Sequence, residues 1–89
     1  MLIRSQDKKT IVNLDNICEI ASVSREIYSF CGRNHTQIGA YSTEEKAINV
    51  LDMIQEKYET YIGIENGFDG VIGYYDMPKV FQMPQDSEV

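Results

Sequence analysis

The sequence predicts an α+β fold: an antiparallel β-meander of four to five strands with one long amphipathic helix packed on one face. Two observations carry this. Short β-branched segments fill residues 1–41, and a capped apolar stripe begins at Ser42. Length adds a third constraint, because 89 residues make one domain. A chain of this size buries only about 60–65% of the surface its unfolded form exposes.

Leu2-Ile3-Arg4-Ser5 reads as a first strand and Thr10-Ile11-Val12-Asn13-Leu14 as a second, joined by the polar turn Gln6-Asp7-Lys8-Lys9. Asp15-Asn16 is a turn pair whose side chains can bond their own backbone. The strand that follows, Ile17 to Val23, has an imperfect alternation. A bulge near Asp15-Asn16 would change which of its sides faces the core. Ser24-Arg25 is a tight connection to Glu26–Cys31, and Gly32-Arg33-Asn34 is a hairpin loop leading to Thr36–Tyr41. Gly39 in the middle of that return strand marks a bulge or a close approach, expected from a helix lying over the sheet.

The helix is expected over 42–62. Ser42 and Glu45 have the S-x-x-E spacing of a capping box. Ala47, Leu51, Ile54, Tyr58 and Tyr61, flanked by Val50, form the apolar stripe, and Gly63 is the natural stop. Glu45, Asn49, Asp52, Glu56 and Glu59 form the solvated face. Residues 63–84 read as an irregular segment closed by a short strand, Lys79–Met83, and 85–89 as an acidic tail that frays.

Composition excludes several functions. The net charge of −6 is unevenly spread: residues 1–42 balance at +1 and residues 43–89 at −7. Such a chain repels phosphate backbones unless a basic patch overrides its field. Arg4, Lys8, Lys9, Arg25 and Arg33 would have to converge to make one. No apolar run is long enough to span a membrane, and the N-terminus lacks the pattern of a secretory signal, so the cytoplasm is expected. Cys18 and Cys31 would make one disulfide in an exported chain. In a reducing cytosol they read as small buried hydrophobes.

No catalytic constellation is visible, no cofactor is called for, and the chain reads as non-enzymatic. Cys18, Cys31 and His35 are three soft ligands on separate elements, where a structural zinc site wants four. Asn66-Gly-Phe-Asp-Gly70 lacks the ladder of a calcium loop, and the glycines at 63, 67, 70 and 73 match no phosphate loop. The aromatic residues of the second half point elsewhere. Tyr58, Tyr61, Phe68, Tyr74, Tyr75 and Phe81 are more than so small a core can bury, which suggests a homodimer contact or a protein-partner surface.

Met1-Leu-Ile-Arg-Ser-Gln-Asp7, Ile38-Gly-Ala-Tyr-Ser-Thr-Glu-Glu-Lys-Ala47 with Val50, Leu51 and Ile54, and Phe81-Gln-Met-Pro-Gln-Asp86 resemble a family of small proteins. Its members come from Gram-positive, often gut-dwelling bacteria and their phages or mobile elements. The resemblance leaves out about 62–79. It implies the fold order above and carries over no activity and no functional residue; the role expected of the chain is that of an accessory protein of a phage, a mobile element or its host. Thr10–Ile17 followed by a meander and a helix is also similar to small flagellar proteins of the FlbD type and to the start of LytTR-type DNA-binding domains. A nucleic-acid-associated regulator using the five basic residues is therefore an alternative. A ligand binder or enzyme with its site between subunits is another.

Overall fold

The computed structural model describes residues 1–67 and 80–89, with 60–67 described by their backbone. The class is α+β. Strands β1 (Leu2–Arg4), β2 (Ile11–Asn13), β3 (Glu19–Val23), β4 (Glu26–Cys31) and β5 (Asn34–Ala40) precede helix α1 (Glu44–Gly67), and β6 (Val80–Gln82) follows it.

The strands form two sheets of three rather than one continuous meander: β2-β1-β6 and β3-β4-β5. Two local features separate them. Asn13 accepts from the Asp15 N–H at 3.0 Å and starts a 3-10 turn over Leu14–Asn16, which bends the chain away from β2. Cys18 N then donates to Phe30 O at 3.0 Å, while Glu19 is the ladder partner of Phe30, so β3 enters its sheet with two residues against one. The bulge anticipated near Asp15-Asn16 lies just beyond it. In the other sheet β6 runs parallel to β1, pairing Ile3 with Phe81. Parallel neighbours need a long crossover, and the helix lies within it.

The hairpin β3–β4–β5 turns at Ser24-Arg25 and Gly32-Arg33, with Val23 facing Glu26 and Cys31 facing Asn34. Gly32 has φ +63°, where a side chain would be strained, and Asn34 belongs to the strand. Ile38 is the extra residue between the pairs Ile27–Gly39 and Tyr28–Gln37. A bulge does sit at Gly39, and so does a close approach, though not by the helix. A Cβ at 39 would lie 3.0 Å from Tyr41 Cε2 and 3.1 Å from Met83 Cε.

The core joins both sheets to the helix. Ile3, Ile27, Ile38, Val50 and Met83 are fully buried at its centre. Ala47, Val50 and Ile54 are the helix residues it takes, with Leu51 packed at its margin. Glu45, Asn49, Asp52, Glu56 and Glu59 are exposed, as the periodicity requires.

Both helix ends differ from expectation. Lys46 N donates to Thr43 Oγ1 at 3.1 Å, so Thr43 is the N-cap and the Ser42–Glu45 box does not form. The reason lies at the other end of the chain. Ser42 N–H is taken by Asp86 Oδ1 at 2.7 Å, and Lys46 Nζ reaches Asp86 O at 3.0 Å. Gly63 lies inside α1, because one glycine costs a helix interior only about 1 kcal/mol.

The C-terminal residues do not fray. Asp86–Glu88 form a 3-10 turn in which Glu88 Oε1 accepts from Gln85 N at 2.7 Å. Tyr41 donates its hydroxyl to Pro84 O at 2.9 Å, and Gln85 Nε2 donates to Gln6 O at 2.8 Å. Burial, with the charges of Asp86 and Glu88, pushes the Tyr41 phenol up to about 12 and keeps it a donor. Gln6 ties the two sheets together: its N–H donates to Ile38 O at 2.8 Å and its Oε1 accepts from Ala40 N at 2.9 Å.

Gly39→Ala is expected to destabilise the protein by about 1–3 kcal/mol in urea unfolding, since the Tyr41 ring must give way. Asp86 supports a second test. The hydrogen bond from Ser42 N holds its carboxyl below the usual 3.8, so its stabilisation is present above that value and lost as pH falls through the lower folded value. Asp86→Asn should therefore lower the melting temperature at pH 7, and the gap to the wild type should close in strong acid.

Candidate interaction surface

The sheet β3-β4-β5 has two faces of different fate. Ile20 and Ile27, with Ser29, point toward α1 and the core. By the two-residue period of a strand, Glu19, Ala21 and Val23 of β3 share the opposite face with Glu26, Tyr28 and Phe30 of β4 and with His35 and Gln37 of β5. Neither Tyr28 nor Phe30 belongs to the core cluster, and among the described residues no element lies across them.

The rings on that outer face gather into a cluster. Tyr28 meets His35 edge to face, with centroids 5.6 Å apart. Phe30 lies 6.0 Å from His35 and 6.2 Å from Tyr28, both tilted. Such pairs contribute beyond the area they bury, and the offset geometry suits the ring quadrupoles. Cross-strand pairing produces the arrangement: Phe30 faces His35 directly, and Tyr28 is the next residue on that side of β4. The Tyr28 hydroxyl donates to Glu26 Oε1 at 3.0 Å. That hydrogen bond, aided by partial burial and by the Glu26 charge, raises the phenol pKa, so it stays protonated. Val23, 51% exposed, extends the apolar surface toward the Ser24-Arg25 turn.

The residues anticipated as a contact surface distribute differently. Phe81 is 8% exposed, because it is the one inward residue of β6, between outward Val80 and Gln82. It is core and is withdrawn from the interaction surface. Tyr58 is 37% exposed on α1. It lines an open apolar groove of about 420 Å³ with Leu14, Ile17, Ile20 and Leu51. Tyr61 lies on the part of α1 described by backbone alone, and Phe68, Tyr74 and Tyr75 lie outside the described residues.

The five basic residues fall at three separate places: Arg4 with Lys8 and Lys9, Arg25, and Arg33. Arg4 Nε donates to Lys8 O at 3.1 Å, within the β1–β2 hairpin that also carries Lys9. Arg25 and Arg33 sit in the two turns at opposite ends of β4, about 20 Å of strand apart. Cys18 and Cys31 are exposed free thiols rather than buried hydrophobes, since both lie where the hairpin runs past the end of the core.

Sequence reading missed Tyr28, Phe30 and His35 as a unit. The signal was present, since Ile27-Tyr28-Ser29-Phe30 places large apolar side chains on both sides of one strand, more than a single overlying helix can cover. Comparison with known proteins finds no matching family model, curated protein or solved structure. No helix among the described residues is long and apolar enough to cross a membrane.

Proposed function

We propose that this chain is a non-enzymatic interaction module of the cytoplasm that associates through the outer face of β3-β4-β5, with a second copy of itself as first partner. The observation behind this reading is the Tyr28–Phe30–His35 cluster on a sheet face that no described element covers. A face of three strands and about six residues spans roughly 300 Å² in projection. Its apolar part is smaller, since Glu19, Glu26 and Gln37 share the face, and the whole is small for an obligate dimer. The contact is therefore reversible.

Charge favours the sheet side over the helix side. Residues 43–89 carry −7 and residues 1–42 carry +1, so two copies meeting sheet to sheet avoid the repulsion that apposed helices would create. A two-fold contact also needs only one self-complementary patch. The same face is poorly suited to nucleic acid. Glu19 and Glu26 lie on it, and the nearest arginines are at its two ends. A catalytic reading draws no support from His35, whose contacts are with rings rather than with an acid or a nucleophile. The setting in a phage, a mobile element or its bacterial host rests on the sequence resemblance alone.

Sedimentation velocity over a concentration series tests the reading. A dimer populated at high concentration is expected. Phe30→Glu together with Tyr28→Ser should return it to monomer with an unchanged far-ultraviolet circular dichroism spectrum. A wild type that stays monomeric throughout, or a dimer indifferent to these substitutions, overturns it.

A further inference from the structure

A second surface is open on the helix side, at the β3 edge of the sheet. Helix α1 lies over β3 and β4. Three strands at about 4.8 Å spacing make a layer about 14 Å wide, and one helix is only about 10 Å across. The shortfall beside α1 is the groove of about 420 Å³. Leu14, Ile17 and Ile20 form one wall, and Leu51, Ile54 and Tyr58 the other. Leu51 to Tyr58 is two turns of helix, about 10 Å. Ile48, one turn earlier on the same side of α1, is 47% exposed and prolongs that wall.

Shape and charge together say what fits. A helix laid alongside α1 would sit over β3 and complete the layer, offering apolar side chains at i, i+3, i+4 and i+7 to the trough. The rim is acidic. Glu19 stands in the lining, Gln55 donates to Glu59 Oε1 at 3.0 Å, and Asp52 is exposed beside Leu51. Among the described residues no lysine or arginine lines the groove. The two lysines of α1 lie elsewhere: Lys46 Nζ bonds Asp86 O at 3.0 Å, and Lys57 sits with Met53 and Phe81. A second copy's α1 is a poor occupant, because it carries six acids against those two lysines.

We propose that the groove between α1 and the Leu14–Ile20 segment docks a basic amphipathic helix of another protein. Its apolar stripe fills the trough, and its flanking lysines or arginines meet Glu19, Asp52 and Glu59. The groove lies on the opposite side of β3-β4-β5 from Tyr28 and Phe30, so this contact stands independently of the proposed self-association.

The test is fluorescence anisotropy with the full chain and labelled peptides of about fourteen residues, four turns of helix. One is a leucine–lysine peptide with leucines in a helical stripe. The second is the same composition scrambled to break the stripe, and the third replaces lysine by glutamate. The striped basic peptide should bind at least about tenfold more tightly than either of the others, and salt should weaken it. Ile48→Lys and Glu19→Lys should each weaken it about tenfold. Val80→Lys is the control for Ile48→Lys, since it adds the same charge at an aliphatic residue 46% exposed on β6, and it should leave binding within about twofold. Absence of binding overturns the proposal. So does equal binding of the striped and scrambled peptides, equal binding of the acidic one, or equal loss in Ile48→Lys and Val80→Lys.

Discussion

The closing of the chain's end against its beginning holds this small structure together. Strand β6 lies parallel to β1, with Phe81 opposite Ile3, and Met83 N donates to Arg4 O at 3.0 Å. Ile3 and Met83 are fully buried and Phe81 nearly so. Each such side chain contributes about 1.5–3 kcal/mol of hydrophobic stabilisation, a large share for a domain of this size. The residues just after β6 then fasten three other parts. Pro84 O accepts from Tyr41, Gln85 bonds the Gln6 carbonyl, and Asp86 accepts from the Ser42 N–H just ahead of α1. Without that segment, β1 would lose a neighbour, the Ser42 N–H its acceptor, and Gln6 and Tyr41 their bonds to residues 84 and 85.

The same economy leaves one surface bare. A single helix covers one side of β3-β4-β5, and β2-β1-β6 joins it through Gln6 at the β5 edge. Among the described residues nothing remains to lie over Tyr28, Phe30 and His35. Their mutual ring contacts and the Tyr28–Glu26 hydrogen bond limit what each exposes, so the face is ordered before any partner arrives. A partner docking there, as proposed, would meet a surface whose side chains are already positioned, which lowers the entropy lost on association.

Local chemistry was legible from the sequence, and long-range pairing was not. Ser24-Arg25, Gly32, the break at Asp15-Asn16 and the buried run Ala47, Val50 and Ile54 all follow from turn chemistry or periodicity over a few residues. The Ser42 cap was misassigned because the acceptor that claims its N–H sits 44 residues away. Phe81 looked like a surface aromatic for the same reason, since nothing near it in sequence reveals that β6 joins β1. Gly39 was a partial success: the spacing pointed to crowding, but the crowding groups are Tyr41 and the distant Met83. The aromatic face escaped notice because Tyr28 and Phe30 are separated from His35 by the hairpin that brings them together.

The β1–β6 ladder has a further consequence, for synthesis. Its partners are drawn from the first and last dozen residues, as with the Gln6–Pro84 bond that spans 78 positions. β6 is made 78 residues after β1 (Val80 against Leu2), so until then β1 has only β2 beside it and the Ser42 N–H lacks its Asp86 acceptor. Contacts of such long range are late and slow to form. During that interval the growing polypeptide displays half-finished sheet edges to its surroundings, a window in which a chaperone, or another nascent copy, can intervene.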